Sequence, residues 1–356
     1  MTPLHKPHTR AALVTTVLML MTGAAQDAAA PSEPDQHGSD ADVVDERRVA
    51  PRIVDLTVDS PAMGGEAKVR LLTPDGWERG ESGKKWPVLY LLAGGDGDYE
   101  TWTEEESYAV QEVAELRDVL VVMPQMPMFG FYTDWHNGGE NGPPAVESFH
   151  LKEVLPILER DYGAGSTRAA AGESQGGFGA LSYAARNEWM FEAVASYSGY
   201  VHPLQHTHAI ETAVDHLNKA DLMDTDWKDI WGDPETNREN WKRHDPYYLA
   251  DKLRSVPVYL SSGDGTAGVL DPPGFEDEYV PGLEDPDEPF AEDVVSPTET
   301  LMDRESKAVA QQLQRTGADV TTHFYKGTHS PQYWKREFQR SLPILLYALG
   351  TRPAGR

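Results

Sequence analysis

The sequence predicts one α/β domain, with a mostly parallel central sheet covered by helices on both faces. Three observations carry that expectation. Short continuous apolar runs recur along the chain, as parallel strands buried on both sides require. Segments with helical apolar spacing lie between them, and two alternating segments lead the series. At 356 residues and 39 % hydrophobic, the chain can bury a core of that size.

The elements follow in order. Lys6 and Arg10 precede the apolar stretch Ala11 to Met21, and small residues run on to Ala30. This is the pattern of a secretory signal peptide over residues 1–30, too short for a membrane span. Residues 31–50 are polar and acidic without periodicity, which predicts a flexible tether. The domain is expected over 51–350. Arg52 to Val58 and Ala67 to Leu72 alternate as strands with one wet face do. The continuous runs are Val88 to Leu92, Val119 to Met123, Ala169 to Ala171, Ala193 to Tyr197, Val258 to Leu260 and Val320 to Tyr325. Helices are expected over Glu147 to Asp161, Gly176 to Arg186, Leu301 to Gln314 and Tyr333 to Leu349, the last kinked at Pro343. His202 to Tyr248 reads as a helical excursion. Asp271 to Ser296, rich in Pro, Gly and acid, reads as a solvated, mobile flap beside the site.

Composition removes several function classes. A formal net charge of −27 repels phosphate-coated partners, so no nucleic acid is expected. The absence of cysteine excludes disulfides, Cys-ligated zinc, iron–sulfur clusters and a cysteine nucleophile. Covalent catalysis would fall to another residue, and serine leads.

Gly172-Glu173-Ser174-Gln175-Gly176 matches G-x-S-x-G, with Gly177 behind it. An apolar strand precedes the motif and an Ala- and Leu-bearing helix follows. A nucleophile at such a turn is strained, so its neighbours must be small. The turn presents the hydroxyl at a helix N-terminus, where free N–H groups favour developing negative charge. The competing reading is a Gly/Ser turn that merely packs a helix on the sheet. Serine needs a base, normally His held by a carboxylate, in the chain order Ser, acid, His. His323 lies inside a strand run, whereas His329 follows it in Lys326-Gly327-Thr328-His329-Ser330, a loop able to reach over the sheet's end. For the acid, spacing places Asp264 first, with Asp271 and Glu299 behind it.

The motifs in order resemble the antigen 85 type of mycolyltransferase, within the wider α/β-hydrolase esterase family. The resemblance rests on Tyr90-Leu91-Leu92, Phe131-Tyr132-Thr133-Asp134-Trp135, the serine turn with Ser196-Tyr197-Ser198-Gly199, and Asp229-Ile230-Trp231-Gly232. It continues through Trp241-Lys242-Arg243-His244-Asp245-Pro246, Gly263-Asp264-Gly265-Thr266, and Gly327-Thr328-His329-Ser330 with Tyr333-Trp334. It implies the α/β-hydrolase fold, Ser174 as nucleophile and His329 as base. Thr298-Glu299-Thr300-Leu301 matches the family's acid stretch, which moves the acid to Glu299 and leaves Asp264 and Asp271 in reserve. It also implies backbone oxyanion donors at Gly95 and Gln175. Two departures bear on the substrate. Pro331 stands where the mycolyltransferases carry Trp, and Ala93-Gly94-Gly95-Asp96 replaces an Asp-Gly pair with a basic residue.

The function expected is a secreted serine esterase or acyltransferase, extracellular or cell-wall associated, acting on a lipid or carbohydrate ester. It would use no cofactor, no metal and no stable membrane anchor. A trehalose mycolyltransferase is the first alternative, and a non-catalytic wall- or matrix-binding protein the second. Trp102, Tyr132, Trp135 and Trp334 are candidate pocket residues. His202, His206 and His208 lie close together without an acid at ligand spacing, and read as a polar loop.

Overall fold

The computed structural model describes residues 40–80, 83–105, 107–277 and 280–351. The expected signal peptide lies outside them. Among the described residues, nine strands form one sheet in the order β1-β2-β3-β5-β4-β6-β7-β8-β9. The strands are β1 (Asp42–Ala50), β2 (Ile53–Ser60), β3 (Gly65–Leu72), β4 (Trp86–Leu92), β5 (Leu120–Pro124), β6 (Ala164–Glu173), β7 (Ala193–Tyr197), β8 (Val258–Gly263) and β9 (Val320–Tyr325). From β1 to β5 the neighbours are antiparallel, and from β5 through β4 to β9 they are parallel.

The parallel strands alternate their side chains between two cores. Val88, Tyr90 and Leu92 of β4 enter one cluster with Leu158, Leu181, Val309 and Leu313 from the helices on that face. Leu89 and Leu91 enter the opposite cluster, with Phe338, Leu342, Leu345 and Leu346. The helices are α1 (Val146–Ser148), α2 (Leu155–Asp161), α3 (Gln175–Arg186), α4 (Thr207–Lys219), α5 (Lys228–Trp231), α6 (Arg238–Lys242), α7 (Pro297–Thr316) and α8 (Pro331–Ala348). The excursion after β7 holds α4 to α6, and its Trp227, Trp231 and Trp241 build a third cluster with Phe131 and Phe178.

Four expectations need correction. Residues 42–50 of the supposed tether are strand β1, paired along β2 while most of their side chains stay exposed. Backbone pairing alone makes this edge, so the sequence carries no apolar alternation; its charged side chains deter pairing with another chain. The helix expected over Glu147 to Asp161 is split by a π-helical turn at Phe149–Val154. Pro156 lacks the N–H that would close the turn on Lys152, and the register widens just before it. By contrast, α8 runs through Pro343 as one helix. That proline is exposed, so water can serve the carbonyl it leaves unbonded. Finally, the Asp271 to Ser296 segment is held at several points: Leu283 is buried in the third cluster, and Arg304 of α7 donates to the Glu288 carbonyl.

Candidate active site

Ser174 sits between the last residue of β6 and the first of α3, at φ 51° and ψ −123°. That left-handed backbone costs energy in a residue with a side chain and persists because its surroundings fix it. Ser174 N–H donates to the Tyr197 carbonyl of β7 at 2.9 Å, and its own carbonyl accepts the Gly177 N–H at 3.0 Å. Two glycines allow the turn to close. A Cβ on Gly172 would lie 2.3 Å from the Gly176 backbone, and one on Gly176 would lie 2.0 Å from the Leu92 carbonyl oxygen. The small residues around the serine are therefore a packing requirement of β6, α3 and β4 together.

His329 stands in the loop between β9 and α8. Its Nε2 lies 3.1 Å from Ser174 Oγ, and its Nδ1 lies 2.7 Å from Glu299 Oε2. The backbone N–H of His329 donates to Ser296 Oγ at 3.1 Å, and the Trp334 ring meets the imidazole edge-on at 4.7 Å. Glu299 occupies the first turn of α7 and is fully buried. Its second oxygen, Oε1, accepts from Ser198 Oγ at 2.7 Å, Ser262 Oγ at 3.1 Å and the Gly263 N–H. Burial opposes a charge on His329. The hydrogen bond and charge of Glu299, with Asp277 further off, outweigh it and raise the imidazole pKa above its ordinary value.

The reserve acids are engaged elsewhere. Asp264 Oδ1 accepts from the Thr266 backbone and hydroxyl at 2.9 and 2.6 Å. Asp271 accepts from Thr328 Oγ1, Tyr333 OH and the Gly268 N–H, bracing the loop that carries His329. Gly95 and Gln175 face each other closely, since a Cβ on Gly95 would meet Gln175 Nε2 at 2.6 Å. Gln175 Oε1 accepts the Phe131 N–H, and Gly95 O accepts the Phe129 N–H at 2.9 Å. Among the described residues, neither the Gly95 nor the Gln175 N–H meets a protein acceptor.

The aromatic expectations divide. Trp334 packs on His329 and belongs to the site. Trp102 is fully buried against Tyr108, Tyr197 and Phe338, and Tyr132 is buried with its hydroxyl donating to the Ala93 carbonyl. Both are core residues because their rings fill space beneath the strand ends. Trp135 is bonded through Nε1 to Gly130 O within the third cluster. The three excursion histidines take separate partners: His202 Asp245, His206 Glu305, and His208 the Leu283 carbonyl. Sequence reasoning gave no role to Ser198, Ser262 or Ser296, which brace Glu299 and His329. It also gave none to Glu173, whose carboxyl group faces Gly94. These residue types are too common for spacing to single them out.

The family model "Esterase", described as "Putative esterase", matches residues 60–345. Esterase Rv1288 of Mycobacterium tuberculosis is 29 % identical over 229 residues, covering 62 % of this chain and 48 % of that protein. The chain thus spans about half the length of that relative. The diacylglycerol acyltransferase/mycolyltransferase Ag85B of Mycolicibacterium smegmatis is 26 % identical, covering 83 % of this chain and 85 % of that one. Among solved structures, Mycobacterium tuberculosis MPT51 superposes with a TM-score of 0.59 at 23 % identity, over 83 % of this chain and 97 % of that one. An S-formylglutathione hydrolase from Agrobacterium tumefaciens gives 0.59 at 15 % identity, over 87 % and 99 %. At these identities the structures speak for the fold.

Proposed function

The chain belongs to the esterase family, and from that premise we propose that it is a serine esterase or acyltransferase that forms an acyl-enzyme on Ser174. The observation that carries the reading is the continuous line from Ser174 Oγ through the His329 ring to the buried Glu299 carboxylate, at 3.1 and 2.7 Å. His329 Nε2 takes the Ser174 proton as Oγ attacks the ester carbonyl. Glu299 holds the ring with its proton on Nδ1 and stabilises the imidazolium that forms. The Gly95 and Gln175 N–H groups donate to the developing oxyanion. The imidazolium then gives its proton to the leaving alkoxide. Water or an acceptor hydroxyl, deprotonated by the same histidine, takes the acyl group and restores the serine.

The substrate proposed is a neutral lipid or carbohydrate ester, and the protein is proposed to act outside the cell after loss of residues 1–30. The catalytic domain is proposed to run from β1 at Asp42 to about residue 350. Among the described residues, no helix is long and apolar enough to cross a membrane. An unbroken set of Ser174, His329 and Glu299 argues against a purely binding role.

Hydrolysis of p-nitrophenyl butyrate and palmitate tests the reading, with Ser174→Ala as the blank. Wild-type turnover should exceed the variant's by about 10³-fold or more, because the hydroxyl supplies the covalent step. Equal turnover by folded Ser174→Ala would contradict it.

A further inference from the structure

Glu173, the residue before the serine, is buried and has no part in the steps above. Its Oε1 accepts the Gly94 N–H at 2.5 Å, and a Cβ on Gly94 would come within 2.6 Å of its Oε2. Gly94 is joined by one peptide bond to Gly95, so this contact ties the end of β6 to the loop that follows β4. The same loop is held on its far side, where Gly95 O accepts the Phe129 N–H at 2.9 Å. The Gly94 N–H is thus bonded inward, and the next N–H along the chain is that of Gly95, the oxyanion donor proposed above. The loop's other side is closed by Gln175, whose amide packs against Gly95.

We propose that Glu173 is a positioning residue for acyl transfer, holding the oxyanion loop in register through Gly94 and doing so as a neutral carboxylic acid. The proposal rests on the assignment of Ser174 and Gly95 above. Its physical ground is the surroundings of the carboxyl. Asp96 faces it from the loop after β4 and His329 from the loop before α8, while the buried hydroxyls of Tyr108 and Tyr132 feel its charge. Among the described residues, no Lys or Arg acts on it. Burial is the largest influence and pushes its pKa up to about 8, with Asp96 adding to the rise while the Gly94 bond and His329 oppose it. The neutral acid keeps a carbonyl oxygen for the Gly94 N–H. An ionised one would set a negative charge beneath the loop where the oxyanion must form.

The test compares Glu173→Gln and Glu173→Leu in the p-nitrophenyl butyrate assay, with Ser174→Ala alongside and folding followed by near-UV circular dichroism. Gln keeps an acceptor for Gly94 and cannot ionise; Leu keeps volume and loses the acceptor. The Leu variant should lose about 10- to 100-fold in kcat with KM little changed. The Gln variant should recover most of that loss. Wild-type kcat/KM should fall at alkaline pH, centred at about 8, and the Gln variant should lack that limb. Wild-type kcat in the Leu variant, Gln no better than Leu, or an unaltered alkaline limb in Gln would each overturn the proposal. Turnover by Ser174→Ala would instead overturn the assignment on which it rests.

Discussion

At Glu299 the hydrogen bond and the negative charge act on His329 in one direction, and both are removable. Burial disfavours the imidazolium, yet Glu299 outweighs it and the pKa stands above the usual value. In its proposed role of general base His329 must be neutral to act, so wild-type activity should rise with pH through a midpoint above that of an ordinary imidazole. Glu299→Gln removes the charge, and the acid limb should move to lower pH. It should also lower kcat by roughly 10³- to 10⁴-fold, as loss of a triad carboxylate does elsewhere. Asp264→Asn should cost far less, since that carboxylate is bonded to its own turn. The pH–rate profiles of both variants decide the matter, and a larger loss at Asp264 would return the acid to that position. Ser174 and His329 were legible because a local motif and a loop position mark them. Glu299 was not legible from spacing, since Asp264 follows a strand end and Glu299 opens a helix; the family resemblance alone moved the choice. Only the folded chain brings the start of α7 under His329.

Among the elements, the turn from β6 to α3 carries the tightest packing. Gly176 lies against the Leu92 carbonyl of β4, a backbone group that cannot swing aside. Gly176→Ala should therefore destabilise by about 3 kcal/mol or more, through overpacking of α3 against the sheet. Gly65→Ala in β3 is the control, because a Cβ there meets nothing within 4 Å. Thermal melts of the two variants should separate widely, and a wild-type Tm for Gly176→Ala would refute the packing argument. Strands buried on both faces were readable as apolar runs, as β4, β5 and β7 are. The edge strand β1 was not, because its pairing is made by backbone and its side chains remain wet. Likewise β6 extends back to Ala164 beyond the apolar Ala169 to Ala171, and its polar start pairs with β4 from Trp86.

For the molecule as a whole, the net charge of −27 adds to the charge of Asp277, which acts on His329, and of Asp96 in the loop after β4. Such a field opposes the approach of anionic substrates and leaves neutral ones untouched. Salt screens it, with a Debye length of about 10 Å at 0.1 M. For p-nitrophenyl hemisuccinate, kcat/KM should rise as ionic strength is increased from about 0.05 to 0.3 M. For p-nitrophenyl acetate it should stay flat. A flat response for both esters would show that the charge lies too far from the site to matter. The α/β class and the parallel half of the sheet were legible in the alternation of apolar runs and helical spacing. The third cluster was not, because it joins tryptophans of the excursion to Phe131 and Phe178 from distant stretches of chain.

The most direct test of acyl-enzyme chemistry at Ser174 is covalent trapping with a fluorophosphonate, read by intact-mass spectrometry and peptide mapping. The account predicts a single adduct on the peptide containing Ser174, absent in Ser174→Ala and formed much more slowly in His329→Ala. Folded wild-type protein that takes no label, or takes it on another residue, would contradict the account.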